Sequence, residues 1–204
     1  MIDIFDYKEL DISKMVCHSG GAIGSDQYFE KICEKYNIKV NAYSYKTEKH
    51  KSKNKVEISD DDYKEGVSEI NKANKWLNRF GIHKYMNFLA RNWTQVKYSD
   101  EIFAIGYIIE PGKKGKKGYY NKSKLQVVDG GTGYAVQMGI NNDKLIHVFD
   151  QNLNNWFRWS PLSNKFIKVE NEIKIVYHNF AGIGTRDLKK NGSEAIKKLF
   201  KNTI

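Results

Sequence analysis

The chain is poor in cysteine, with only Cys17 and Cys33 among its 204 residues. Two thiols are too few for a disulfide framework. Both lie in apolar segments rather than at metal-ligand spacing, which predicts buried thiols. The five histidines form no HxxxH or HxH pair. The sequence therefore predicts no metal site and no cofactor.

Long apolar runs are also missing, since no segment approaches the roughly 20 apolar residues of a membrane-spanning helix. The first ten residues carry Asp3, Asp6 and Glu9, so they lack the basic start and apolar stretch of a signal peptide. We expect a cytoplasmic protein without a membrane partner. Hydrophobic residues make up 40% of the chain. This fraction fits a globular protein, and the length predicts one domain spanning residues 1–204.

Arginine is scarce in a chain whose net charge is +10. Three interpretations of that charge stay open: a nucleic-acid partner, a small anionic ligand whose capture a positive field speeds, or a surface that only aids solubility. Lysine runs at 46–55, 113–124 and 189–201 favour solvated loops and an exposed helix face. The four arginines are Arg79, Arg91, Arg158 and Arg186.

Short apolar runs alternate with amphipathic segments, which predicts βαβ units and a Rossmann-like, mainly parallel open sheet flanked by helices. Strands are predicted at 14–18, 38–43, 101–106, 145–149 and 174–179. Helices are predicted after Asp26, from Ser59, over 84–96, from Gly133 to Ile140, and at the carboxyl end. The aromatic segments 155–159 and 165–169 predict a small antiparallel hairpin inserted beside the sheet. The Gly- and Lys-rich segment 111–123 predicts a flexible hairpin or lid.

Eight of the sixteen glycines lie in three short segments, which we expect to be turns directly ahead of helices. The first, second and third glycine segments are residues 19–26, 127–133 and 180–186. Glycine lets a backbone approach a ligand closely, and a helix start offers free N–H groups, so such turns hold phosphate. In open α/β sheets they meet at the carboxyl ends of the strands. Neither GxxxxGK[ST] nor GxGxxG is present, which disfavours a P-loop NTPase and a standard dinucleotide site.

The predicted site adds polar side chains to these segments. Arg91 and Arg186 are candidates because arginine grips phosphate with two hydrogen bonds. Asp150 and Gln151 end a strand, where they bind a ribose or base edge or else serve the loop; Asp26 orients a ligand or interacts with the helix dipole. The candidate ligand-binding residues are Ser19, Gly20, Gly21, Ala22, Gly24, Ser25, Asp26, Arg91, Asn92, Gly130, Gly131, Thr132, Asp150, Gln151, Gly182, Gly184, Thr185 and Arg186. The aromatics Trp156, Phe157 and Trp159 stack a base or, in the favoured interpretation, seal the hairpin against the core.

Three blocks together resemble the SLOG superfamily: HSGGAIGSD at 18–26, GGTGYAVQ at 130–137 and FAGIGTR at 180–186. That superfamily includes LOG-type phosphoribohydrolases, the DNA-processing protein DprA and nucleotide-sensing domains of bacterial defence systems. The blocks at 91–98 and 148–151 look like those of a small stand-alone SLOG family of bacteria and phages. The resemblance covers nearly the whole chain. It implies a Rossmann-like fold, glycine turns that bind nucleotide phosphate or ribose, and a homo-oligomer.

The sequence departs from the LOG motif PGGxGTxxE, whose glutamate supports cleavage of the base–ribose bond. Asp129 replaces the proline, Tyr134 the second threonine, and Gln137 stands in the region of the glutamate. An amide cannot act as general acid or base, so no catalytic residue is predicted. The resemblance then suggests a phage anti-defence protein that sequesters a nucleotide-derived signal, such as a cyclic ADP-ribose isomer or cyclic nucleotide. Alternatives are a housekeeping carrier or sensor, a nucleotide hydrolase that uses Asp26 or another acid, and a DprA-like single-stranded DNA binder.

Overall fold

A computed structural model of the protein describes residues 10–48, 50–116 and 118–204. The first nine residues, on which the prediction about a signal peptide rests, lie outside this description. No helix in the described ranges is long and apolar enough to cross a membrane. The elements are β1 (Val16–Ser19), α1 (Ser25–Lys35), β2 (Lys39–Ser44), β3 (Lys55–Glu57), α2 (Asp60–Leu77), α3 (Met86–Lys97), β4 (Glu101–Gly106), β5 (Ile108–Ile109), β6 (Val127–Val128), α4 (Thr132–Asn141), β7 (Leu145–Asp150), β8 (Asn155–Ser160), β9 (Lys165–Lys168), β10 (Asn179–Gly184) and α5 (Lys190–Thr203).

The main sheet has eight strands in the order β3-β2-β1-β10-β4-β7-β8-β9, and its first six strands are parallel. Strands β5 and β6 form a separate antiparallel pair. The chain first moves outward from β1 to β2 and β3, and later returns to β4 on the other side of β1, with β10 between them. Such a reversal opens a crevice at the carboxyl ends of the strands, where open α/β sheets bind ligands. The predicted α/β, Rossmann-like fold is confirmed.

Strand β4 shows how the sheet is held between two helical layers. All six of its residues are buried, as expected for a central parallel strand with both faces covered. Ile102 and Ala104 belong to the core cluster under α2, α3 and α4. Phe103 and Ile105 face the opposite cluster, under α1 and α5. The predicted buried thiols, Cys17 and Cys33, are confirmed and lie in this second cluster.

The antiparallel hairpin predicted at 155–169 is confirmed as β8 and β9, but it continues the main sheet rather than lying beside it. Strand β8 pairs antiparallel with β7 and so extends the sheet edge. Trp159 is buried and stacks edge-on against Phe166, with ring centroids 5.1 Å apart. Trp156 and Phe157 pack against the two core clusters. These contacts confirm that the aromatic residues seal the hairpin against the core.

The last strand is not where the sequence predicts it. The prediction at 174–179 is wrong, because β10 is Asn179–Gly184. Gly182 and Gly184 therefore lie within a strand, and residues 185–189 separate them from α5. Glycine stands at these strand positions because there is no space for a side chain. A Cβ on Gly182 would stand 2.5 Å from Cγ of Phe29, and one on Gly184 would stand 2.6 Å from Cβ of Ser25. Strand glycines of this kind mark close packing of a neighbouring element, which here is α1.

The segment 111–123 folds back as a hairpin, as predicted. The Gly112 amide donates to the Asn121 carbonyl at 2.9 Å, and the Asn121 amide returns a bond to the Lys113 carbonyl at 2.8 Å. Gly115 lies so close to the second glycine segment that a Cβ there would approach the Asp129 carboxyl carbon at 2.7 Å. This hairpin therefore packs over the carboxyl end of the sheet.

Candidate functional site

The first and third glycine segments are in direct contact. Gly24 precedes α1 with a φ of 103°, and a Cβ there would stand 2.6 Å from the carbonyl oxygens of Thr185 and Arg186. The Ser25 amide donates to the Thr185 carbonyl at 3.1 Å, and the Ser25 hydroxyl donates to the same oxygen at 2.9 Å. One amide at the start of α1 is thus used to join the two segments rather than left for a ligand.

Asp26 holds the same junction from the first turn of α1. Its carboxylate accepts the Gly184 amide at 2.9 Å, and it is buried, with 6% of its surface exposed. Burial raises the pKa of Asp26 to about 6, against the Arg91 charge and the backbone hydrogen bonds from Gly184 and Ala22, which lower it. Asp26 is therefore both a structural acceptor and an acid that titrates near neutral pH.

Arg91 reaches this junction from α3 and is 4% exposed. Its guanidinium occupies the space above Gly20, where a Cβ would stand 1.9 Å from Nη1 of Arg91 and 2.6 Å from Oδ2 of Asp26. Nη1 has no hydrogen-bond partner among the residues that the structure describes. Burial lowers the pKa of Arg91 to about 10, so it stays charged at neutral pH. The Asp26 carboxylate offsets part of this charge. A buried donor without an acceptor is nevertheless destabilising, and an anion bound there would satisfy it.

His50 covers the same turn from the segment between β2 and β3. A Cβ on Gly21 would stand 2.3 Å from Nε2 of His50. Both ring nitrogens are without a partner in the described ranges of the chain. Burial and the Arg91 charge lower the His50 pKa, so the neutral ring offers one donor and one acceptor. We refer to Gly20, Asp26, His50, Arg91 and Arg186 together as the Arg91 site.

Phe88 joins the Arg91 site to the second glycine segment. The guanidinium carbons of Arg91 and Arg186 lie 4.5 and 5.6 Å from the centre of its ring. A Cβ on Gly131 would stand 3.3 Å from Cε1 of the same ring. The second and third glycine segments therefore lie against one aromatic side chain, and the first is connected to it through Arg91. The predicted phosphate-binding elements are thus brought together. Arg186 is exposed and like-charged with Arg91, and an anion between two guanidinium groups would reduce their repulsion.

The second glycine segment is held from outside by Arg79, which the sequence does not single out as a site residue. Its two terminal nitrogens donate to the carbonyls of Val128 and Gly130, each at 2.6 Å. The Gly130 amide donates to the Asp129 carboxylate at 2.8 Å, and Asn92 approaches the Gly131 carbonyl at 3.5 Å. Arg79 and Asn92 therefore fix the shape of this turn, where Thr132 begins α4.

The predicted hydroxyl donors serve internal hydrogen bonds. The Ser19 hydroxyl donates to Glu30 at 3.0 Å and accepts the Gly21 amide at 3.2 Å. The Thr185 hydroxyl accepts the Asp187 amide at 3.2 Å. The Ser19 and Ser25 hydroxyls therefore donate within the protein, the latter to the Thr185 carbonyl. The Thr185 hydroxyl accepts an amide and keeps its own proton for a further acceptor.

Asp150 and Gln151 also serve loops, which was the open alternative for both. Asp150 accepts the Ile108 amide at 2.6 Å, and its other oxygen accepts two amides of the following turn. Gln151 donates to the Tyr107 hydroxyl at 3.1 Å and accepts the Lys189 amide at 2.7 Å. Their contribution to a site is therefore to position the residues around Tyr107.

Two surface cavities of the described chain, of about 400 and about 470 Å³, lie away from these residues. The larger lies between the end of the β8–β9 hairpin and α5. The smaller is a groove between α1 and α5, which we call the α1–α5 groove. Its lining residues are Tyr28, Lys31, Ile32, Lys35, Tyr36, Lys197 and Lys201. Neither cavity includes a residue of the candidate ligand-binding set, although Trp156, a possible base-stacking residue, lines the larger one.

No known protein family, curated protein or solved structure matches this chain. Within the described residues, no group of three or more His, Cys, Asp or Glu side chains is placed to hold a metal ion. The chemistry that the Arg91 site offers is binding of an anion by guanidinium and imidazole groups, next to an acid of raised pKa.

The sequence patterns did not indicate several residues at or near the site. His50 lies in a polar segment without periodicity, and Phe88 looks like one more apolar position of α3. Glu30, which receives the Ser19 hydroxyl, looks like an ordinary helix-surface acid but is 5% exposed. Only Arg79 carried a signal, since arginine is rare in this chain.

Proposed function

We propose that the protein binds a phosphate-bearing, nucleotide-derived small molecule at the Arg91 site and holds it without cleavage. The observation that carries the proposal is the unpaired, buried Nη1 of Arg91 at the carboxyl ends of β1 and β10. Phosphate suits this position because it is anionic and accepts several hydrogen bonds at once. The net charge of +10 adds a field that attracts such a ligand.

The position in the fold supports a nucleotide-derived ligand. The Arg91 site lies at the point where strand order reverses, the usual place for nucleotide binding in open α/β sheets. Ile23, at the tip of the first glycine segment, is 73% exposed and offers an apolar contact beside the site. Because Arg91 is almost completely buried, a bound phosphate must displace a covering side chain, and His50 is the group placed to move. The resemblance to SLOG proteins points to the same ligand class.

Holding rather than cleaving is supported by Gln137, at the place of the LOG glutamate. It is buried in α4, and its side-chain nitrogen donates to Asn141 at 3.0 Å, one turn further from the glycine segment. Gln137 is thus engaged within the helix and carries no proton to transfer. A stand-alone binder of this kind suits sequestration of a signalling nucleotide, as in a phage protein that counters bacterial defence.

The test is calorimetric titration of wild-type protein and Arg91→Met with AMP, ADP, ADP-ribose and cyclic ADP-ribose. We expect at least one of them to bind wild type. Losing charge-assisted hydrogen bonds of about 1.5–3 kcal/mol should weaken that binding about 10- to 150-fold in Arg91→Met. Arg158→Met is the matched control, because Arg158 is an exposed arginine on β8. Mass spectrometry after heat denaturation should recover unchanged ligand. Binding of none of the four nucleotides, or equal affinity of wild type and Arg91→Met, contradicts the proposal.

Hydrolysis of the bound nucleotide is a second candidate, favoured by Asp26. A carboxylic acid with a pKa of about 6 is suited to general acid catalysis near neutral pH. If the protein is a hydrolase, incubation with the same nucleotides releases free base or ribose phosphate, and Asp26→Asn slows release by about 100-fold or more. Intact nucleotide after prolonged incubation rules this candidate out.

Binding of single-stranded nucleic acid is favoured by a different observation, the α1–α5 groove. Four lysines and two tyrosines line it, which matches the charged track and stacking surfaces that single strands use. The test is a gel shift with single-stranded DNA at physiological salt, comparing wild type with Lys35→Met/Lys197→Met. Retention that survives physiological salt and is lost in this variant supports the function. Weak, steeply salt-dependent binding in both proteins reflects nonspecific charge.

A further inference from the structure

Two lysines from distant parts of the chain meet over one tyrosine ring near the Arg91 site. The Nζ atoms of Lys116 and Lys189 lie 4.6 and 5.4 Å from the centre of the Tyr107 ring. Lys116 comes from the hairpin 111–123, and Lys189 directly precedes α5. The Lys116 ammonium also contacts the Tyr107 hydroxyl at 3.4 Å.

This pairing brings like charges together. The nearby Lys116 ammonium lowers the pKa of Lys189. Asp187 offsets part of the charge, since its carboxylate lies 3.9 Å from Nζ of Lys116 and accepts the Tyr107 hydroxyl at 3.2 Å. Asp150 offsets a further part at Lys189. Two ammonium groups and a neighbouring guanidinium, Arg186, still exceed the charge of these two carboxylates. An anionic group bound between the lysines would relieve the remaining repulsion.

The arrangement is held by buried contacts rather than by flexible side chains alone. Tyr107 is 4% exposed and receives the Gln151 amide at 3.1 Å. Gln151 also accepts a hydrogen bond from the backbone amide of Lys189, which fixes the backbone position of that lysine. On the other side, Gly115 packs against the second glycine segment and so directs Lys116 toward the ring. The fold therefore positions both lysine ammonium groups over the Tyr107 ring.

The Arg91 site and the Lys116–Lys189 pair lie at the same end of the sheet. Arg186 shares the Phe88 ring with Arg91, whereas the next residue, Asp187, contacts Tyr107 and Lys116. The Cα atoms of consecutive residues are about 3.8 Å apart. The Lys116–Lys189 pair therefore contacts the residue directly after Arg186, which belongs to the Arg91 site.

We propose that Lys116 and Lys189 form a second anion subsite over Tyr107, so that the ligand class is one with two phosphates, such as a nucleoside diphosphate or a pyrophosphate-linked nucleotide. This inference rests on the proposed function, because the first phosphate occupies the Arg91 site. It assigns the Lys-rich hairpin a direct role in binding. It also makes the number of phosphates, rather than the base, the property that the protein recognises.

The experiment compares AMP and ADP binding by calorimetry in wild type, Lys116→Met/Lys189→Met and Lys113→Met. Lys113 is the matched control, an exposed lysine of the same hairpin. Wild type should bind ADP at least about 10-fold more tightly than AMP, the effect of one additional charge-assisted contact. The double variant should bind ADP about as weakly as AMP while its AMP affinity changes less than about twofold, and Lys113→Met should behave as wild type.

Two outcomes overturn the inference alone: equal affinity of wild type for AMP and ADP, or equal loss of both in the double variant, with binding still dependent on Arg91. Binding of neither nucleotide to wild type overturns the inference, and the proposed function falls with it only if ADP-ribose and cyclic ADP-ribose also fail to bind. Lys116 is exposed and Lys189 is partly exposed, so we expect the double variant to fold, and its circular dichroism spectrum should match wild type.

Discussion

Replacing Asp26 with asparagine removes a buried ionisable group and keeps an oxygen that can accept the Gly184 amide. Burial raises the pKa of Asp26 from 3.8 to about 6. The folded protein therefore binds this proton more tightly than the unfolded chain does. The stabilising contribution of Asp26 is complete below about pH 4 and is lost as the pH rises through about 6. A rise of about two pKa units corresponds to about 3 kcal/mol.

The assay is urea unfolding of wild type and Asp26→Asn at several pH values between 4 and 7.5. Over this range the free energy of unfolding of wild type should fall by about 2.5 kcal/mol relative to that of the variant. His18 and His50 act in the opposite direction, because burial lowers their pKa values and their contribution is lost as the pH falls. Both proteins retain these histidines, so the difference between the two pH profiles reports on Asp26.

Asp143→Asn is the control for loss of one negative charge. Asp143 is exposed and has a φ of 53°, a conformation that asparagine adopts readily. Its pH profile should run parallel to that of wild type. If the Asp26→Asn profile is parallel as well, then Asp26 does not titrate in the folded protein with a raised pKa, and the electrostatic description of the Arg91 site is wrong.

Three further substitutions test contacts that stabilise the fold. Gly182→Ala places a Cβ 2.5 Å from the Phe29 ring, and overpacking of this kind should lower the free energy of unfolding by about 1–3 kcal/mol in urea titrations. Arg79→Met removes two charge-assisted hydrogen bonds to carbonyls of the second glycine segment and should destabilise by about 3 kcal/mol, read as a lower Tm. Ser59→Ala removes the side-chain oxygen that accepts the Asp62 amide at 3.0 Å and should destabilise by about 1 kcal/mol. Wild-type stability in any of these variants would show that the contact named for it carries no net energy.

Local signals in the sequence were enough to place most of the sheet and helices. The apolar run at 101–106 is β4, and Ser59 followed by three acids begins α2, because these patterns depend on neighbouring residues alone. Gly182 and Gly184 misled the prediction because glycine marks both turns and close packing. Nothing in residues 180–186 distinguishes the two, since the deciding partner is Phe29 on another element.

The site was predictable as a set of segments but not as a set of contacts. The glycine blocks and Arg91 indicated where the proposed anion site lies, since both are residue types with a known preference for phosphate. His50 and Phe88 escaped because their role follows from tertiary contact with residues far away in the chain. The meeting of Lys116 with Lys189 is of the same kind, since each belongs to a lysine run that favours solvated surface when read alone.

The two ends of the main sheet bear on whether copies of this protein could join strand to strand. Strand β3 is three residues long, all exposed, and carries an ion pair between Lys55 and Glu57 at 3.3 Å. At the other end, β9 has four residues and begins and ends with lysine. Short, charged border strands discourage a neighbouring chain from adding its own strand. Any self-association of this protein should therefore proceed through helices or loops, and the two edge strands of the sheet should stay exposed to water.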